Sequence, residues 1–207
     1  MTIELLTGLV LFSFVASVTP GPNNLMLMAS GANYGFRRTI PHMLGVGIGF
    51  VGMTLIVGAG LAQVFDRYPV SYTILKVVSL VYMVYLAVRI AFAAPFHSGR
   101  LGSSGDSDVV PKGNPITFIQ AVLFQWVNPK AWAMALTAMS VYLPTRSLGG
   151  VVLVASIFGA INLPTVSLWT LLGQQIRHWL TSSLHLRIFN VFMALMLLVS
   201  LLPVLFL

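Results

Sequence analysis

The sequence predicts an all-α membrane protein: six transmembrane helices arranged as two inverted three-helix repeats, with helices 1 and 4 broken near the midplane. Three observations carry this. The 207-residue chain is 57% hydrophobic and only 7% charged, with mean hydropathy +0.93; soluble domains are about a quarter charged. Six apolar stretches have the ~20 residues that cross a ~30 Å hydrocarbon core at 1.5 Å per residue. Two of them, roughly 107 to 109 residues apart, are interrupted by proline beside a capping residue.

The first element covers about 3–33 and breaks at 19–22, within "SVTPGPNNLM". Its first charge is Glu4, no basic segment precedes it, and prolines stand where cleavage would fall, so it reads as a span and not a signal peptide. The second runs about 40–63, ending before "FDRYP", and the third about 70–93. The Ser/Gly-rich "HSGRLGSSGDSDVVPKGNP" (97–115) reads as a flexible cytoplasmic linker between a first repeat, 1–96, and a second, 116–207. The fourth element covers about 116–143 with "NPK" at 128–130, the fifth about 149–172 and the sixth about 186–206. The half-chain offset lays Thr19-Pro20 on Asn128-Pro129, and Gly49 and Gly52 over Ser156 and Gly159. Three spans per half is an odd number, so the halves must cross the membrane in opposite senses, as in secondary transporters built from inverted repeats.

Charge sets the orientation. The net +7 is scattered between apolar runs rather than clustered, which fits membrane topology and not nucleic-acid binding. Arg37, Arg38, Arg89, Arg100, Lys112, Arg177 and Arg187 fall on one face, against Arg67, Lys76 and Arg146 on the other. The first face is therefore cytoplasmic, with both termini on the opposite, periplasmic side. Cysteine is absent, excluding disulfides and thiolate chemistry. The four histidines, 42, 97, 178 and 185, have no metal-ligand spacing within a span, so no metal or cofactor is expected.

A break at that depth persists only inside protein or beside a polar cavity, because unpaired backbone groups in hydrocarbon cost several kcal/mol each. Thr19 is expected to cap a helix starting at Pro20, with Pro22 still in its first turn, and Asn128 one starting at Pro129. Each restart aims a positive dipole end at the midplane, and inversion brings the two ends together as an anion site. Lys130 lies about 14 residues, roughly 20 Å, from either end of its element, too deep to snorkel easily. A visiting carboxylate would relieve its burial; permanent pairing with backbone carbonyls is the structural alternative. Prolines 20, 22 and 129 cannot donate to the carbonyls of Ala16, Val18 and Gln125. Those carbonyls, with Asn23, Asn24, Gln125 and Asn162, are candidates to hold a substrate ammonium, so the substrate site is Thr19, Pro20, Gly21, Pro22, Asn23, Asn24, Gln125, Asn128, Pro129, Lys130 and Asn162. For Asn162, helix–helix hydrogen bonding is an equal reading. Gly45, Gly49 and Gly52 read as a close-packing face, and Gln120 as a packing or interface residue. His42 is an interfacial residue or, with Lys130, a candidate to carry a proton.

"TPGPNNLMLMASGANYGFRRTIPHMLGVGIGF" resembles the first-helix signature of the LysE/RhtB family of amino-acid exporters, "LKVVSLVYMVYLAVRI" that family's third helix, and "FQWVNPKAW" its fourth-helix motif. The resemblance covers about 15–140. It places the PGPN signature on Pro20, Gly21, Pro22 and Asn23, and the NPK motif on Asn128, Pro129 and Lys130. Ser79 and Ala87 depart from it, standing where the family often has glycine. It implies a bacterial inner-membrane exporter of amino acids or close derivatives, driven by the proton-motive force.

The residues then suggest alternating access around a carboxylate held at Lys130. No Asp or Glu but Glu4 lies in a span, which favours neutral amino acids over dicationic ones. The partners expected are the amino acid, protons and membrane lipid, with association of further copies left open. A passive channel or inorganic-ion transporter on the same scaffold is the rival, although cation selection usually needs carboxylate rings or carbonyl filters. An intramembrane enzyme is disfavoured: there is no G-x-S-x-G elbow and no acid–base pair.

Overall fold

The computed structural model describes residues 1–61, 63, 67–68, 70–93, 114–143, 147–180 and 182–202. Most of the expected linker, with Arg100 and Lys112, and Arg146 of the opposite face, lie outside the described residues. Among the described residues the protein is all-helical, with eight α-helices, one π-helical turn and no strand. The first break separates α1 (Ile3–Val18) from α2 (Pro22–Tyr34). α3 (Phe36–Ile56) runs into the π turn Val57–Leu61, and α4 is Val70–Ala91. The second break separates α5 (Phe118–Gln125) from α6 (Pro129–Val141), followed by α7 (Leu148–Arg177) and α8 (Ser183–Val199).

Polar side chains start these helices where the sequence supplies them. Thr117 and Gln120 form a reciprocal capping box on α5, which gives Gln120 its role, and Ser147 and Ser182 accept the Gly150 and His185 N–H groups. A single residue, Gly35, ends α2 and begins α3; its φ of +79° is a conformation that favours glycine. For this reason α3 starts at Phe36, earlier than the hydropathy pattern places it. α7 is likewise longer than expected, about 45 Å for its 30 residues.

Among the described residues three helices are long and apolar enough to cross a membrane: α3 with its π turn, α4, and α7. α1 and α2, bent by 51° at their junction, make a fourth span if taken as one. The outer surface fits a lipid environment: α4 exposes Val77, Val78, Val81, Val84 and Val88, and α7 exposes Leu168 and Leu172.

Three apolar clusters hold the bundle, the smallest of them Leu27, Met43, Val46, Ala121 and Val166. Leu9, Phe50, Met53, Trp132, Ala135 and Phe158 join α1, α3, α6 and α7. Leu25, Met26, Met83, Leu86, Phe124 and Met193 join α2, α4, α5 and α8. Small residues set the closest crossings. A Cβ on Gly31 would fall on the Thr170 carbonyl oxygen, and one on Gly173 on the Met28 carbonyl oxygen, so α2 and α7 touch backbone to backbone. Gly45 and Gly49 do the same for α3 against α5, as a close-packing face should, whereas Gly52 faces open space.

Candidate functional site

The two breaks lie side by side. Residues 19–21 and 126–128 interrupt the two helices, and both second segments begin at proline and run for 13 residues. Asn128 caps α6 as expected, its Oδ1 accepting the Lys130 N–H at 3.2 Å. Thr19 does not cap α2. The helix restarts at Pro22, not Pro20, because Gly21 is fully extended, and Thr19 instead closes α1, donating its hydroxyl to the Ala16 carbonyl at 3.1 Å. The start of α2 therefore has no side-chain cap, which leaves first-turn N–H groups for another acceptor.

Lys130 crosses from the second break to the first. Its ammonium donates to the Thr19 carbonyl at 2.7 Å, the Thr19 hydroxyl at 2.9 Å and the Pro20 carbonyl at 3.4 Å. These carbonyls follow directly on the C-terminal end of α1, where the helix dipole is negative, so the ammonium gains both hydrogen bonds and a favourable field. This is the carbonyl-paired arrangement, and it answers the burial cost that a lysine at this depth raises. Gly21 permits it: a Cβ there would lie 2.7 Å from Lys130 Cδ and 3.0 Å from Nζ. Thr19 and Pro20 are exposed while Gly21, Pro22 and Asn24 are buried, so the lysine forms one wall between surface and interior.

Amides complete the junction. Asn23 and Gln125 exchange hydrogen bonds at 2.9 and 3.2 Å, tying α2 directly to α5. Asn24 donates to the Ser17 and Thr19 carbonyls at 2.7 and 2.9 Å. The carbonyls expected to await a cation are occupied. Ala16 takes the Thr19 hydroxyl, Val18 the Trp169 indole N–H at 3.2 Å, and Gln125 the Asn128 N–H at 3.3 Å. Proline freed these acceptors, but nearby side chains and the tight turns claimed them.

What remains is a cavity of about 20 Å³ among Ser17, Gly21, Asn23, Asn24, Asn128, Lys130 and Asn162, with Phe50, Ala131 and Met134 as apolar walls. That is room for about one water. Asn162 donates to the Ser17 hydroxyl at 3.3 Å, while its Oδ1 is buried with no partner among the described residues. The cavity thus offers a cation, an uncapped helix start and a bare amide oxygen, with no carboxylate on its lining.

Ser17, Trp169 and the apolar walls are site residues that sequence reasoning missed. Ser17 had a signal, a small polar residue two positions before the break; Trp169 had none. His42 is not interfacial: it is fully buried, both ring nitrogens lack partners among the described residues, and it does not line this cavity.

A bundle of apolar helices with paired breaks around a small polar cavity is an arrangement that membrane transporters use. The chain belongs to the LysE type translocator family, whose model matches residues 14–202. It is 29% identical over 178 residues to the cysteine/O-acetylserine efflux proteins of Escherichia coli (strain K12) and Shigella sonnei (strain Ss046), covering 84% of this chain and 84% of each relative. The cysteine/O-acetylserine efflux protein of Shigella flexneri serotype 5b (strain 8401) matches to the same extent. No solved structure matches the chain.

Proposed function

We propose that the chain exports small neutral amino acids, with cysteine and O-acetylserine as the first candidates, across the bacterial inner membrane by proton-coupled alternating access. One observation carries the reading. The central cavity presents Lys130 and the uncapped start of α2 to a carboxylate, and the bare Asn162 Oδ1 to an ammonium. Lys130 would exchange the Thr19 and Pro20 carbonyls for the substrate carboxylate, so binding and release of the first break are one event. Gln125 and Asn128 hold the junction's geometry rather than the substrate. The absence of a carboxylate on the lining favours a neutral side chain, as does the cysteine/O-acetylserine efflux of the relatives.

The proposal includes six spans in two inverted halves, 1–96 and 116–207, with both termini periplasmic. Two breaks of equal length, each followed by a proline-led segment of 13 residues, support the repeat. The basic residues gathered near the α2–α3 and α7–α8 connections support the orientation. The small volume of the cavity supports a carrier that must rearrange, not a pore. His42 and Lys130 are the candidates to carry the proton.

The test loads membrane vesicles with labelled amino acids and follows efflux with and without a pH gradient. Gradient-driven efflux of O-acetylserine or cysteine, with accelerated exchange on adding unlabelled substrate to the far side, is the expected result. Efflux of none of the panel would overturn the function, and exchange that is not accelerated would favour a pore.

A further inference from the structure

A second cavity lies along α2 on the arginine-rich side of the protein. It has a volume of about 50 Å³, space for about three waters, and its lining includes Met26, Ser30, Asn33, Tyr34, Arg89 and Asn114. Asn23, at the central cavity, and Ser30 here are seven residues apart on one helix, about 10 Å. Between the two cavities stand Met26, packed in one cluster with Phe124 and Leu86, and then the Asn23–Gln125 pair. The far wall is fixed. Asn33 and Asn190, both buried, exchange hydrogen bonds at 2.7 and 3.1 Å, and Asn190 also donates to the Ala93 carbonyl at 3.4 Å, closing α2, α8 and the end of α4 together.

The geometry points to this cavity as a second, outer subsite for the zwitterion of a small amino acid, in which Arg89 receives the carboxylate before the substrate reaches Lys130. The inference rests on the transport function proposed above. The chemistry matches the central site without repeating it. Among the described residues the lining has one cation and no carboxylate, an amide at Asn114 that suits an ammonium, and apolar walls from Met26, Leu86 and Ile90. Arg89 stands exposed at the mouth, where its planar fork suits a carboxylate. To move inward the substrate must open a Met–Phe layer and then an amide pair, which together form the inner barrier.

The chain's lack of cysteine makes the test direct. Ala29→Cys places a thiol on the cavity wall and Ala93→Cys one at its mouth. In the full-length protein in inside-out vesicles, a sulfonate-bearing methanethiosulfonate is expected to modify Ala29→Cys about tenfold faster than it does when Arg89→Gln is added. The trimethylammonium reagent should show the reverse dependence, and millimolar O-acetylserine should slow both. In transport, Arg89→Gln should raise KM from the arginine-rich side about tenfold with little change in kcat. Labelling that ignores both Arg89 and O-acetylserine, or that reaches Ala93→Cys but never Ala29→Cys, overturns the subsite. Wild-type vesicles that export no amino acid overturn the transport function instead, while the charge dependence of labelling still reports on the cavity.

Discussion

Replacing Lys130 by methionine separates a transport role from a structural one. The change keeps most of the stem and removes the charge. Lost are the hydrogen bonds to the Thr19 carbonyl, the Thr19 hydroxyl and the Pro20 carbonyl; a bond to a charged group is worth ~1.5–3 kcal/mol, and solvent screening at this half-buried position reduces the set to about 2 kcal/mol. The Thr19 carbonyl is not stranded, because Asn24 still donates to it at 2.9 Å. Gained is relief from holding a cation at membrane depth, ~2.5–3.5 kcal/mol at full insertion and about 1.5 kcal/mol after the same discount. The terms offset to within about 1 kcal/mol, which for a chain of this size moves Tm by about 3 °C. Lys130→Met should therefore unfold in detergent within that margin of wild type and yet show only background efflux. Wild-type efflux from the variant would refute the carboxylate site. A fall in Tm of about 10 °C with loss of efflux would show instead that the lysine serves the fold.

Asn162→Asp should convert the bare amide oxygen into a carboxylate at the cavity, raising efflux of lysine relative to O-acetylserine in the vesicle panel; unchanged preference would place the ammonium elsewhere. Gly173→Ala should force α2 off α7, because its Cβ meets the Met28 backbone and cannot be accommodated by a rotamer change; overpacking of this kind costs ~1–3 kcal/mol and should lower Tm by about 3–9 °C in a thermal melt. Asn33→Leu or Asn190→Leu alone should cost ~1–3 kcal/mol by leaving the partner amide unsatisfied, whereas the double variant should recover much of that loss in a double-mutant cycle.

What is legible in the sequence follows from how local each signal is. Asn128 and Pro129 are readable because a cap and an N1 proline act within one turn, and α6 starts where they say. The first break falls where expected, but the helix after it restarts two residues late because Pro20 and Pro22 compete for the same position, and only the extended backbone of Gly21 decides between them. His42 departs from expectation for a different reason. It shares its inward stripe with Thr39, Val46, Phe50 and Met53, a helical spacing visible in the sequence but outweighed by the polarity of its ring. The bonds that occupy the freed carbonyls, such as Trp169 to Val18, join residues 151 positions apart. No local pattern encodes such a pairing, so the sequence located the cavity without revealing which of its acceptors were already taken.

The two halves are not packed alike, and this bears on how the carrier would move. α2 lies along α7, with Gly31 and Gly173 each set against the other helix's backbone. Under the half-chain offset the counterpart pair is α6 with α3, which touch only lightly. If the halves are inverted copies, these are two settings of one joint, and the protein occupies one of them. The opposite setting would seat α6 on α3 and lift α2 from α7. On the α7 side the exchange meets mainly close packing, while the Asn23–Gln125 and Asn33–Asn190 pairs tie α2 to α5 and α8. α2 ends at Gly35, a residue free to change φ, and begins at an uncapped break, while its grip on α7 is mainly close packing without charge. Two hydrogen bonds from α7 side chains secure its ends, Trp169 to the Val18 carbonyl before it and Gln174 from the Phe36 N–H after it. On the proposed mechanism, a substrate carboxylate that draws Lys130 from the Thr19 carbonyl would loosen the first of those ends, so the ligand would act at an end of α2 that α7 secures by one hydrogen bond.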